Sequence, residues 1–169
     1  MRATYRVRQL LAALTARVSE VDLAEVDAHL TPDARSLFRR MPSDGQAHAL
    51  RVMRDLKHAG HTHPSLLAAA LLHDAGKSAA RITPLTRSMF VVLRRVAPRP
   101  LARWPAVGWR KPFAVLRDHP RTGAEWARAA GCDELAASLI ARHQERLSDP
   151  VTREEDRLLK LLQDFDERN

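Results

Sequence analysis

The chain has 169 residues, ten prolines, six glycines and one cysteine, Cys132. A single thiol excludes an intramolecular disulfide framework and fits a reducing, cytoplasmic setting, and no run reaches the roughly 18 apolar residues of a membrane span. The net charge of +8 is unevenly placed: no acidic residue stands between Asp74 and Asp118, where ten lysines and arginines from Lys77 to Arg117 fall. A stretch of one sign either draws in an anionic ligand, a nucleic acid or an anionic membrane surface, or is a solvated basic face.

In chain order, Val7, Leu10, Leu11, Leu14 and Val18 share one face and predict an amphipathic helix over 4–18. Arginines interrupt this segment, so it does not read as a signal peptide. Pro32 suits the first turn of a short helix capped by Thr31. Ser43 or Asp44 is positioned to cap a helix from about 45 to 59. Pro64 opens the next helix, which runs through His73 and is expected to end at Gly76. A helix from Arg87 to Ala97 precedes the proline-rich "APRPLARWPAVGWRKP", read as a short helix plus loop. A helix over about 112–130 should break or bend near Pro120 and close at Gly131. Asp133 caps another to about 146, and the last covers roughly 151–168. No strand pattern stands out. The expected fold is all-α, a bundle of about seven to nine helices. Residues 1–43 form an N-terminal helical scaffold and 44–169 a metal-binding helical domain, together one compact unit.

Polar residues on apolar helix faces carry the functional signal. His48 lies four residues before Val52. His73 continues the stripe of Leu66 and Ala69, and Asp74 that of Leu67 and Leu71. His143 follows Leu139 and Ile140 at helical spacing. Unpaired, each would be costly to bury; clustered, imidazoles and carboxylates neutralise one another or hold a metal. In the last helix Leu158, Leu159, Leu161, Leu162 and Phe165 define the apolar face. Asp166 lies about 70° from its centre and Asp164 about 130°, so Asp166 is the candidate that points inward and Asp164 the one that faces water.

His48 in "DGQAHALRVMRDL", His73–Asp74 in "LLHDAGK" and a late aspartate in "LLKLLQDFDERN" together resemble the HD-domain metal-dependent phosphohydrolases. "LRDHPRTGAEWARAAG" and "IARHQE" are similar to segments of the HD-GYP branch, and the resemblance assigns His119 and His143 to a second metal. Gln144 stands where that branch has another histidine, and "QERLSDPV" replaces the GYP segment, so hydrolysis of cyclic dinucleotides is not implied.

The resemblance implies metal ligands His48, His73, Asp74 and Asp166, with Asp74 shared by a second ion on His119 and His143. The mixed nitrogen and oxygen set suits Mn²⁺, Fe²⁺, Ni²⁺, Co²⁺, Zn²⁺ or Mg²⁺, one or two per chain. Asp74 and Lys77 are the expected catalytic residues, and Lys77 and Arg81 the contacts to substrate phosphate; otherwise Lys77 is a helix-end cation favoured by the macrodipole. The expected activity is hydrolysis of a phosphate ester of a nucleotide or small anionic metabolite. The rivals are a non-catalytic module that binds a nucleotide or partner, and a basic adaptor for nucleic acid or membrane surfaces. Glu145 either orients His143 or faces water. His58, His61 and His63 read as surface residues, and Trp104 and Trp109 as packing residues with base stacking or a membrane interface as alternatives.

Overall fold

The computed structural model describes residues 18–147 and 151–169. The helix expected over 4–18 therefore lies, but for Val18, outside the described residues. Among those described there are nine α-helices, two short 3-10 turns and no strand. The helices are α1 (Glu20–Asp27), α2 (Pro32–Arg40), α3 (Ser43–His58), α4 (Pro64–Leu72), α5 (Pro84–Val96), α6 (Pro98–Ala102), α7 (Lys111–Ala129), α8 (Glu134–Arg142) and α9 (Glu154–Arg168). The fold is the all-helical bundle that the patterning predicts.

The arrangement follows from α4. It is apolar all round, and a helix with no polar face has to be covered on every side. Every residue from Ser65 to Leu72 is buried, with α3, α8 and α9 packed against it. Val26, Leu30, Ala34, Leu37 and Phe38 of α1, α2 and their connection join the same core. Polar ties fix the outer helices. Arg54 donates to Asp22 (2.6 Å) and Glu25 (2.8 Å), joining α3 to α1. Arg142 donates to Glu155 and Asp156 (2.9 and 2.7 Å), joining α8 to α9.

Local signals explain most helix ends. The Thr31 hydroxyl accepts from the Ala34 amide, and Asp133 accepts from the Ala136 amide, as N-caps do. Gly131 has φ +81°, the left-handed geometry that closes α7. Four expectations need correction. Ser43 is the first residue of α3 rather than its cap; Pro42 precedes it and offers no side-chain bond. α8 stops at Arg142, leaving His143 as its C-cap. α4 ends at Leu72, and Gly76 instead lies within the 3-10 turn Ala75–Ala79. α7 runs unbroken through Pro120, where the missing amide hydrogen leaves the Leu116 carbonyl without its helical donor. That carbonyl has another use, described below.

Candidate metal centre

Burial of α4 carries its C-terminal end to the middle of the bundle, which is why a histidine and a carboxylate follow so apolar a segment. His73 caps α4 and is fully buried. Its Nε2 lies 3.5 Å from Asp166 Oδ1 and 3.7 Å from Asp74 Oδ1. On α3, His48 Nε2 contacts Asp166 Oδ1 at 2.8 Å. Asp74 Oδ1 also faces His119 Nε2 at 3.4 Å and His143 Nε2 at 3.9 Å. Two groups suited to holding a cation result, His48–His73–Asp74 and Asp74–His119–His143, each with its ligand atoms within 4.8 Å of one another. Asp74 is common to both. Asp166 faces the first group across His48 and His73, whereas Asp164 pairs with Lys160 (3.1 Å) at the surface.

Three of these rings are oriented in the same way. Nδ1 of His73, His119 and His143 lies 2.9, 3.0 and 2.8 Å from the carbonyl oxygen three residues earlier, of Ala70, Leu116 and Ile140 respectively. A carbonyl only accepts, so each Nδ1 carries the hydrogen and donates. In the neutral ring this leaves the Nε2 lone pair directed into the centre, as a metal-ligating imidazole requires. Ala70 and Ile140 lie in the last turns of α4 and α8, where carbonyls have no helical donor. Leu116 is mid-helix, and its carbonyl is released by Pro120. The proline after His119 thus provides an orienting acceptor without interrupting α7.

Glycine brings the two halves together. A Cβ on Gly76 would overlap the His119 carbonyl oxygen and sit 2.8 Å from the Gly123 amide nitrogen. Only hydrogen at Gly76 lets the Ala75–Ala79 turn lie on the α7 backbone and bring Asp74 to His119 and His143.

The electrostatics suit a cation. Nε2 of His73 and of His143 are buried without a hydrogen-bond partner, and an orphaned lone pair in the interior calls for a ligand. Burial disfavours a charged His73 ring, yet Asp74 and Asp166 outweigh it and raise its proton affinity. Burial, followed by the charge of His73, lowers His143 to about 3. Burial would raise the Asp74 carboxyl, but His73, His119 and Lys77 hold it well below the carboxylate range. Asp166 is likewise held low: burial is outweighed by its contacts with His48 and His73. Two ionised carboxylates facing inward draw positive charge to His73, where a divalent ion would satisfy them more fully.

Lys77 Nζ donates to Asp74 Oδ2 at 2.6 Å and lines the mouth of the centre. That mouth is a cavity of about 320 Å³ bordered by Asp44, His48, Arg51, Arg87, Gln144 and Asp166. Arg81 lines an adjoining cavity of about 270 Å³ together with Asp74, Lys77 and Arg87. Arg51 and Arg87 at the mouth, and Arg94 beside His143 and Asp166, correspond to no motif position in the sequence. Arg51 follows His48 by three residues on α3, and Arg87 and Arg94 share one side of α5, so helical spacing from the motif could have found Arg51. Gln144 brings its amide to 3.4 Å from His119 Nε2. Glu145 pairs with Arg142 at the surface. His58, His61 and His63 belong to neither group of candidate ligands.

This convergence has a match beyond the chain itself: the model of the HD domain family covers residues 45–168. The chain belongs to the HD-domain family. HD domains bind divalent metal ions and form a superfamily of metal-dependent phosphohydrolases, some of whose members are non-catalytic. No curated protein and no solved structure matched the chain. Among the described residues, no helix is long and apolar enough to cross a membrane.

Proposed function

We propose that this HD domain is a divalent-metal-dependent phosphohydrolase acting on a phosphate ester of a nucleotide or small phosphorylated metabolite. The observation that carries the reading is the shared Asp74, whose Oδ1 is faced by imidazole Nε2 atoms from both groups of candidate ligands. His48, His73, Asp74 and Asp166 would hold one ion, and Asp74, His119 and His143 a second. Bound divalent ions supply charge stabilisation at the phosphoryl oxygens and a lowered pKa for water. The chain's own groups do the rest. Backbone carbonyls fix the ring tautomers, and the packed helix ends hold the ligand set in place. Lys77, Arg51 and Arg87 line the mouth with positive charge, which favours an anionic substrate and opposes charge build-up on it. Lys77, at the lip and partly exposed, would contact a phosphate, and Arg81, which lines the adjoining cavity with Asp74 and Lys77, would be a second contact.

The test pairs metal content of the purified protein with turnover on a panel of phosphomonoesters, phosphodiesters and nucleotides. Asp74→Ala should lose metal and activity together. Lys77→Ala should keep its metal while activity falls by about 10²–10³, the size of losing one charge-stabilising donor. Wild-type protein with full metal and no turnover on any phosphoester would overturn the hydrolase reading in favour of a binding module.

A further inference from the structure

α5 and the segment after it form a surface that the candidate site does not account for. α5 has no fully buried residue. Thr86, Phe90 and Leu93 are half-buried along its inner side. About a quarter-turn away from them and opposite Arg87 and Arg94, Leu85, Met89, Val92 and Val96 recur at spacings of four, three and four residues, with 69%, 45%, 58% and 69% of their surface exposed. A sequence that keeps this period has selected a face, and among the described residues nothing covers it. Among the described residues, every exposed large hydrophobic residue but Val21 lies between 85 and 109, Val107 and Trp109 included. The same stretch contains no acid. Arg87 and Arg94 turn toward the site cavities, while Arg95, Arg99, Arg103 and Arg110 are exposed.

The surface is built rather than loose. The Arg117 guanidinium donates to the carbonyls of Leu101, Ala102 and Trp104 at 2.8, 2.9 and 3.2 Å, tying down the end of α6. Trp104, Trp109 and Phe113 meet edge to face, with Arg110 over both indoles. Trp109 nevertheless stays 65% exposed.

Charge selects the occupant. In a symmetric pair this face would meet itself, setting arginines of one copy against arginines of the other. A nucleic-acid backbone would satisfy the cations but leave an aliphatic stripe in water, since leucine and valine give bases nothing to stack on. An anionic bilayer surface meets both needs: headgroups pair with the arginines, and the acyl boundary takes the aliphatic stripe and the indole. We propose that α5, α6 and the Trp109 loop dock this protein onto anionic lipid, with α5 lying in the interface as the wall between the membrane and the mouth of the candidate site.

The test is flotation of the full chain with phosphatidylcholine vesicles with and without phosphatidylglycerol, at low and high salt. The wild type should float with the anionic vesicles only, and salt should release it. Arg95→Gln/Arg99→Gln/Arg103→Gln should lower partitioning by roughly a hundredfold, at about fivefold for each cation lost. Leu85→Ser/Val92→Ser/Val96→Ser should lower it at least tenfold while keeping the wild-type melting temperature and metal content, since these side chains are exposed. Brominated lipid should quench tryptophan emission, and Trp109→Phe should remove that quenching. Failure of the wild type to float at low salt would overturn the proposal. So would undiminished flotation of the Leu85/Val92/Val96 variant, or a wild-type dimer that this variant dissociates. Binding to duplex DNA without vesicle binding would overturn it as well.

Discussion

Gly76→Ala tests the contact on which the shared position of Asp74 depends. The added Cβ would sit 2.8 Å from Gly123 N and 3.0 Å from the His119 carbonyl carbon, and would overlap the His119 oxygen. All three are backbone atoms of a packed helix and cannot rotate aside, so the Ala75–Ala79 turn has to lift from α7. Overpacking of this kind costs about 1–3 kcal/mol. For a chain of this size each kcal/mol lowers Tm by roughly 2–4 °C. Asp74 lies two residues before the contact, 3.4 Å from His119 Nε2 and 3.9 Å from His143 Nε2. Metal-ligand distances tolerate only about ±0.2 Å, so the lift should weaken the Asp74–His119–His143 group before the group built on His48 and Asp166. Calorimetry and elemental analysis of the purified variant measure the two effects. Gly45→Ala is the control, because its new Cβ would find its nearest neighbours at 3.7–4.0 Å. A Gly76→Ala protein with wild-type Tm and wild-type metal content would refute the reasoning.

Asp166→Asn should lower metal content sharply, whereas Asp164→Asn, at a surface pair, should leave metal unchanged and shift stability by no more than about 0.5 kcal/mol; equal effects would undo the assignment of Asp166 to the centre. Pro120→Ala should restore a helical donor to the Leu116 carbonyl, stabilising α7 by up to about 3 kcal/mol. The same change should lower metal affinity about 10–100-fold, because His119 loses sole use of its orienting acceptor; denaturant melts and metal titration would separate the two, and unchanged affinity would count against the account. Asp22 is held from 3.8 down to about 2 by hydrogen bonds from the Ser19 backbone and hydroxyl and from Arg54. The folded state then binds the proton less well than the unfolded one, so this stabilisation is present above pH 4 and is lost as the pH falls toward 2. After solvent screening it should amount to about 1 kcal/mol; Asp22→Asn should flatten that part of the pH–stability curve, and an unchanged slope would rule the contribution out.

The parts of this protein that were legible in the sequence are those set by neighbours within a turn or two. Thr31 and Asp133 cap helices because a side-chain oxygen meets an amide three residues on. The unbroken apolar run of α4 predicts a central helix, and the phase of Leu158, Leu159, Leu161, Leu162 and Phe165 separates Asp166 from Asp164 by angle alone. Other features were misjudged because their partners are distant in the chain. Pro120 reads as a break or bend in α7, but the helix continues through it and the carbonyl it frees accepts from the His119 ring. Gly76 was expected to stop a helix, but its lack of a side chain matters for contact with His119 and Gly123 on α7. Arg51 and Arg87 border one cavity only because α3 and α5 meet across it. By itself the sequence determined the described helices and their buried faces and named the candidate ligands, since periodicity and capping act through local backbone geometry. Tertiary structure alone decided that Asp74 stands between two sets of histidines and that the stripe on α5 stays uncovered among the described residues, because both depend on how closely helices far apart in the chain approach one another.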